Sequence, residues 1–386
     1  MKLSYAATLL GLGLGTLGLA LGQGCSSSSS GGTTANTGTV PPPAPSGPMT
    51  TSTTAENFAL HQIFLGDTDR NQVPGPNAWK NFGYNLDGKI TTASSTDVCT
   101  LAQGAAKSAQ ADGTNGIDNS FGENILPILL PFAATPSKTI SGDIDKGAFT
   151  IMFDVVGLSS DPAQTATGLT GQLFAGAKFN GMPTWSPADD WPVRPELLKD
   201  MMTIAGGSTI KFGSAYVVNG TWVNGTPADV TLSLSIQGHS LNITVHQAIV
   251  TFDHTAPDKA TNGTVAGVIQ TEELITSLKA VAGNITKSLC MGTAFDSIAQ
   301  QIRQASDIMH DGTNSAGQAC DGISIGIGFN ADHIGDPKTV APATVASCDP
   351  CSPTCGGADA GVDSGSGDSG VGDTGVADTG SDATGD

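Results

Sequence analysis

Positive charge is scarce in this sequence. Its 386 residues hold 16 lysines and arginines against 35 aspartates and glutamates, a formal net charge of −19. A protein that grips a phosphate backbone needs a basic cluster to displace counterions. The cations here are spread through the chain, which excludes nucleic acid as a partner. Glutamate is scarce too: Glu56, Glu123, Glu196, Glu272 and Glu273 are the five present, and the other thirty acidic residues are aspartates. Aspartate caps turns by bonding its own backbone, so turn-making accounts for most of that bias. The six histidines, His61, His239, His246, His254, His310 and His333, lack the paired or i,i+4 spacing of a zinc site. Beyond Leu21 no apolar run is long enough to span a membrane.

What is present begins with Lys2 and an uncharged apolar run from Ala6 to Leu21. That pattern predicts a signal peptide over residues 1–24. Leu21-Gly22-Gln23-Gly24-Cys25 resembles the lipobox of bacterial lipoproteins, which implies a lipid on Cys25 and the membrane as a partner. Residues 25–55, rich in Ser, Thr, Gly and Pro, are expected to form a low-complexity stalk, since such a composition cannot bury a core. At the other end, residues 356–386 repeat Gly and Asp and predict an extended acidic tail. Setting Cys25 aside leaves Cys99, Cys290, Cys320, Cys348, Cys351 and Cys355. An even set in an exported chain predicts disulfides, with Cys290–Cys320 the preferred pair among fifteen possible connectivities. Cys348 to Cys355 are expected to form a clasp closing the domain; a redox dithiol would need a helix N-terminus, and prolines surround this one.

The intervening residues 56–347 are expected to form one globular, mainly β domain. Period-two alternation runs through residues 149–155, 230–236 and 241–245, which predicts strands with one buried face. Asn219-Gly220 between two such runs predicts a hairpin, and residues 237–240 a second turn. Ser120 with Glu123 reads as a capping box ahead of Ile125 and Leu126. Further helices are expected from Thr271 to Gly283 and along the face Phe295, Ile298, Ile302, Ala305 and Met309. The fold expected is an antiparallel, jelly-roll-like β-sandwich with a few helices near the ends of the domain.

Several motifs offer chemistry beside a plainer reading. Asp112, Asn115 and Asp118 on a Gly-rich segment, and Asp67, Asp69 and Asn71, could converge oxygens on a structural calcium ion. Neither has the EF-hand positions, and Asp and Asn make such turns without a metal. Trp185, Asp189, Asp190 and Trp191 could form a ligand shelf, or pack a loop. A glycosidase would need two carboxylates facing one cleft, with Asp143 and Asp145 the other pair of interest. Gly322-Ile323-Ser324-Ile325-Gly326 matches a nucleophile elbow, but Ile323, Ile325, Ile327 and Phe329 alternate as one strand straight through it. The sequons at Asn219, Asn224, Asn242, Asn262 and Asn284 are sufficiently explained by turns.

In organisation and composition the chain resembles the exported lipoproteins abundant in myxobacteria, with their lipobox, Thr/Pro-rich stalk and Asp-Gly-rich tail. Three core phrases, Trp79 to Gly88, Ser95 to Cys99 and Gly116 to Gly122, are similar to recurring segments of such proteins. The resemblance implies anchoring in the cell envelope, at the outer membrane or cell surface of a Gram-negative bacterium, and carries no activity with it. With no catalytic constellation legible, the leading expectation is a non-enzymatic surface binding module. A carbohydrate-active or envelope-polymer hydrolase centred on residues 185–191 is the alternative, and a calcium-stabilised structural protein the third.

Overall fold

Alternating apolar side chains build nine strands: β1 (Ala55–Phe64), β2 (Thr150–Val156), β3 (Ala166–Gly176), β4 (Ile210–Val218), β5 (Thr221–Val223), β6 (Ala228–Ile236), β7 (His239–Ala256), β8 (Lys259–Gln270) and β9 (Gly322–Ile334). The computed structural model describes residues 38–130, 135–236, 239–285, 287–290, 293–343 and Cys351. Cys25, Cys348, Cys355, the expected signal peptide, the expected acidic tail and the first half of the turn expected at residues 237–240 lie outside the described residues. Strand order is β5-β4-β3-β2-β1-β9-β8-β7, and β5 pairs again with β7, so eight antiparallel strands close into a barrel with β6 added along β7.

Closure corrects the expected β-sandwich. Alternation states that each strand buries one face, but not whether the sheet stacks on a second sheet or curls onto itself. The deciding element is the three-residue β5, too short to stand out by pattern. Asn219 and Gly220 both adopt positive φ, 48° and 81°, which makes the tight β4–β5 hairpin. Trp222 then pairs across to Phe252. Its fully buried ring stacks on that of Phe252 at 4.9 Å and meets Phe212 edge-on at 5.8 Å. Phe58, Phe153 and Phe329 join Trp222 and Phe252 in one buried cluster, so side chains fill the barrel.

Four helices flank the strands: α1 (Leu126–Leu129), α2 (Pro136–Asp145), α3 (Thr271–Ile285) and α4 (Ala294–Gln304). The last two follow the expected apolar faces, with Phe295, Ala299 and Ile302 buried on α4. The expected capping box does not form. Phe121–Ile125 is a π-turn without a side-chain cap, and the Ser120 hydroxyl donates instead to the Ala305 carbonyl at 2.6 Å.

The disulfides join Cys99 to Cys320 and Cys290 to Cys351, which corrects the Cys290–Cys320 expectation. The fold lays Thr100 beside Ala319, with the Cys320 amide donating to the Thr100 carbonyl at 3.0 Å, and this brings Cys99 to Cys320. The last residues of the expected stalk lie against the domain: the Thr39 amide donates to Asn115 O, Thr50 N to Thr167 O, and Tyr216 Oη to Pro42 O.

Candidate functional site

The alternation in β9 sets two different faces. Ile323, Ile325, Ile327 and Phe329 join the barrel core, whereas Gly326 and Gly328 leave the opposite face bare. A Cβ on Gly326 would lie 2.1 Å from the Phe82 carbonyl, so only glycine lets that main chain rest on the strand. Asn119 locks it there. Its carboxamide nitrogen shares its two hydrogens among the carbonyls of Trp79, Phe82 and Gly326, each at 3.1 Å, and its oxygen accepts from the amides of Gly122 and Gly326, each at 3.0 Å. Ser120 extends the network, its amide donating to Ser324 Oγ at 2.8 Å. The Ser324 hydroxyl in turn donates to Asp307 Oδ2 at 2.5 Å. Ser324 is fully buried inside β9 and does not stand on an elbow.

Two of the three phrases singled out in the sequence, Trp79 to Gly88 and Gly116 to Gly122, meet here. Asp118 Oδ2 accepts from the Leu86 amide at 2.6 Å, Asp112 Oδ2 accepts from Thr91 N at 2.5 Å, and Cys99 N donates to Asn314 Oδ1 at 2.6 Å. Burial pushes Asp112 up to about 6 and Asp118 well above the usual carboxylate range, with the neighbouring Asp87 charge adding to both. Asn115 does not join them through its side chain; it turns the chain at φ 52°. Asp67, Asp69 and Asn71 separate: Asp67 accepts from the Ser137 hydroxyl and amide, and Asp69 Oδ1 caps the amides of Asn71 and Val73. Among the described residues no group of three or more His, Cys, Asp or Glu is placed to hold a metal ion.

Trp185, Asp189, Asp190 and Trp191 form no shelf. Asp189 is buried and spends its oxygens on the amides of Thr184 and Trp185 and the Thr184 hydroxyl. Asp190 accepts from Lys338 N at 2.9 Å. Trp191 is fully buried in a small cluster with Ala59, Met152 and Phe174, and Trp185 stacks on His61 at 4.1 Å. His61 sits between Asp145 and Asp332 at 2.8 and 2.5 Å, so both ring nitrogens are engaged. These carboxylates therefore serve loop geometry and a histidine clamp.

The concave feature of interest lies instead beside the Asn119 network. Trp79 is clamped between two glycines: a Cβ on Gly122 would meet its Cβ at 2.5 Å and one on Gly66 at 2.8 Å. It lines a groove of about 420 Å³ together with Asp67, Glu123, Leu126, Pro127, Leu130 and Thr135. Glu123 stands in the π-turn, an unusual backbone often found where a side chain must be re-aimed. Its Oε2 is buried with no hydrogen-bond partner. Burial pushes its carboxyl up to about 7, against the opposing pull of the Lys80 charge. Sequence reasoning took Glu123 for a capping residue; the π-turn that re-aims it has no composition signature.

Comparison of the chain with family models, with curated proteins and with solved structures returns no match.

Glu123 and Asp307, the latter also pushed up to about 7 by burial, keep protons in the folded state at a pH where the unfolded chain has lost them. Their stabilisation is full below the unfolded carboxyl value of about 4 and is lost as pH rises through about 7. The urea midpoint is accordingly expected to fall between about pH 5 and about pH 7.5, and Asp307→Asn to flatten that fall. A midpoint rising over the same interval would contradict the assignment.

Proposed function

We propose that this chain is a non-enzymatic binding module of the bacterial cell envelope that takes an amine-bearing ligand with an apolar body into the Glu123 groove. The observation that carries the reading is that Glu123 lines the groove while its Oε2 is buried without a partner. A buried polar atom without a partner costs free energy, which an incoming ammonium or N–H donor would recover. Leucine and proline in the lining suit an aliphatic body, and the carboxyls of Glu123 and Asp67 in the same lining favour a cationic group on it. A lipid on Cys25 would hold the module at the outer membrane or cell surface.

Hexylamine and hexanoate present the same chain with opposite charge, and calorimetric titration of each into the protein tests the reading. The amine is expected to bind at least about tenfold more tightly, and Glu123→Gln to remove the preference. Equal affinity for both, or none for either, would refute it. For the anchor, intact mass after expression in a bacterium with lipoprotein processing is expected to show a lipid-sized increment that Cys25→Ser abolishes; an unmodified Cys25 thiol would remove the lipid from the account.

A further inference from the structure

Glu123 and Pro127 also border a second groove, of about 370 Å³, on the other side of the π-turn. Its character is different. Where the first groove is walled by Leu126, Leu130 and Trp79, the second is lined by Asn124, Gln301 and Gln304 over small alanines. One N–H of each of these three carboxamides is committed: Asn124 Nδ2 donates to Ser120 Oγ at 2.9 Å, Gln301 Nε2 to Ser297 O at 3.3 Å, and Gln304 Nε2 to Gln103 O at 3.1 Å. An acceptor partner fixes which end of a carboxamide faces it, so each group keeps its oxygen as an acceptor and a second N–H as a donor. The lining shared with Glu123 therefore offers both halves of the pairing that a peptide main chain needs.

We infer that the two grooves form one track for an extended peptide segment, with an ammonium on Glu123, an aliphatic side chain beside Leu126 and Leu130, and main-chain N–H groups along Asn124, Gln301 and Gln304. This rests on the proposed binding function and names its ligand class. Charge selects the occupant: the carboxyls of Glu123 and Asp67 in the lining favour a cationic chain and disfavour an anionic one. Shape favours peptide over glycan. Sugar binding draws on an open aromatic face, whereas Trp79 is 4% exposed and Lys80 Nζ sits 5.4 Å from its ring centre. Aliphatic side chains, by contrast, match leucine and proline walls.

The experiment titrates the full chain with three probes: hexylamine, the capped pentapeptide acetyl-Leu-Leu-Lys-Ala-Ala-amide, and cellopentaose. The peptide is expected to bind at least about tenfold more tightly than the amine. Replacing its lysine by norleucine is expected to cost most of that affinity. The double variant Gln301→Ala/Gln304→Ala, on the outer side of α4, should weaken the peptide severalfold and leave hexylamine binding unchanged. Circular dichroism of the double variant checks that it is folded. Amine binding with no gain from the peptide overturns the extended track and leaves the binding-module reading standing. Failure of both amine and peptide overturns both readings. Cellopentaose binding at Glu123 in place of the peptide overturns the peptide assignment.

Discussion

The carboxamide of Asn119 ties the loops of residues 65–125 to the barrel. Five hydrogen bonds from one side chain satisfy the carbonyls of Trp79 and Phe82, the amide of Gly122 and both main-chain groups of Gly326. Each is a buried main-chain group, and leaving it unpaired would cost about 1–3 kcal/mol. Through Phe82 and Trp79 the same side chain places one wall of the groove, and through Gly122 it places the π-turn that carries Glu123. Glycine makes the arrangement possible: at Gly326, Gly122 and Gly66 any side chain would collide with main chain or with Trp79. The groove is thus a consequence of how loops seal one strand.

A barrel of eight strands encloses roughly the volume that its own side chains fill, and here Phe58, Phe153, Trp222, Phe252 and Phe329 occupy it. That leaves the outside of the barrel, where loops and short helices pack against β9, as the place where concave surface forms. The two disulfides act there too. Cys99–Cys320 secures the loop package to the segment leading into β9, and Cys290–Cys351 secures the turn after α3. Both close long loops, where the entropic gain from a cross-link is greatest.

Much of the strand content was legible in the sequence because alternation is a local property: β2, β6 and the Asn219-Gly220 hairpin stand where residues 149–155, 230–236 and 219–220 placed them. Closure was not, because it depends on Trp222 meeting Phe252 across a three-residue strand. The candidate site was legible only in outline. The phrases Trp79 to Gly88 and Gly116 to Gly122 stood out as units, but their convergence runs through Asn119 and Gly326, 207 residues apart. Asp112 and Asp118 offered either turn residues or oxygen donors for calcium; each accepts from a main-chain amide 21 or 32 residues away, a partner that the local motif does not name. Tryptophan beside aspartate at 189–191 left a ligand shelf and a packed loop both open; burial makes Trp191 a core residue and Asp189 a turn cap, the packed-loop reading.

The measurement that tests the central claim most directly is denaturant unfolding of Asn119→Ala, combined with hydrogen exchange at the Gly326 amide. Removing a carboxamide that satisfies five buried partners is expected to cost about 3 kcal/mol or more and to strip protection from Gly326 N–H. A loss under about 0.5 kcal/mol, with that amide still protected, would show that the loop package is held to the barrel by other means.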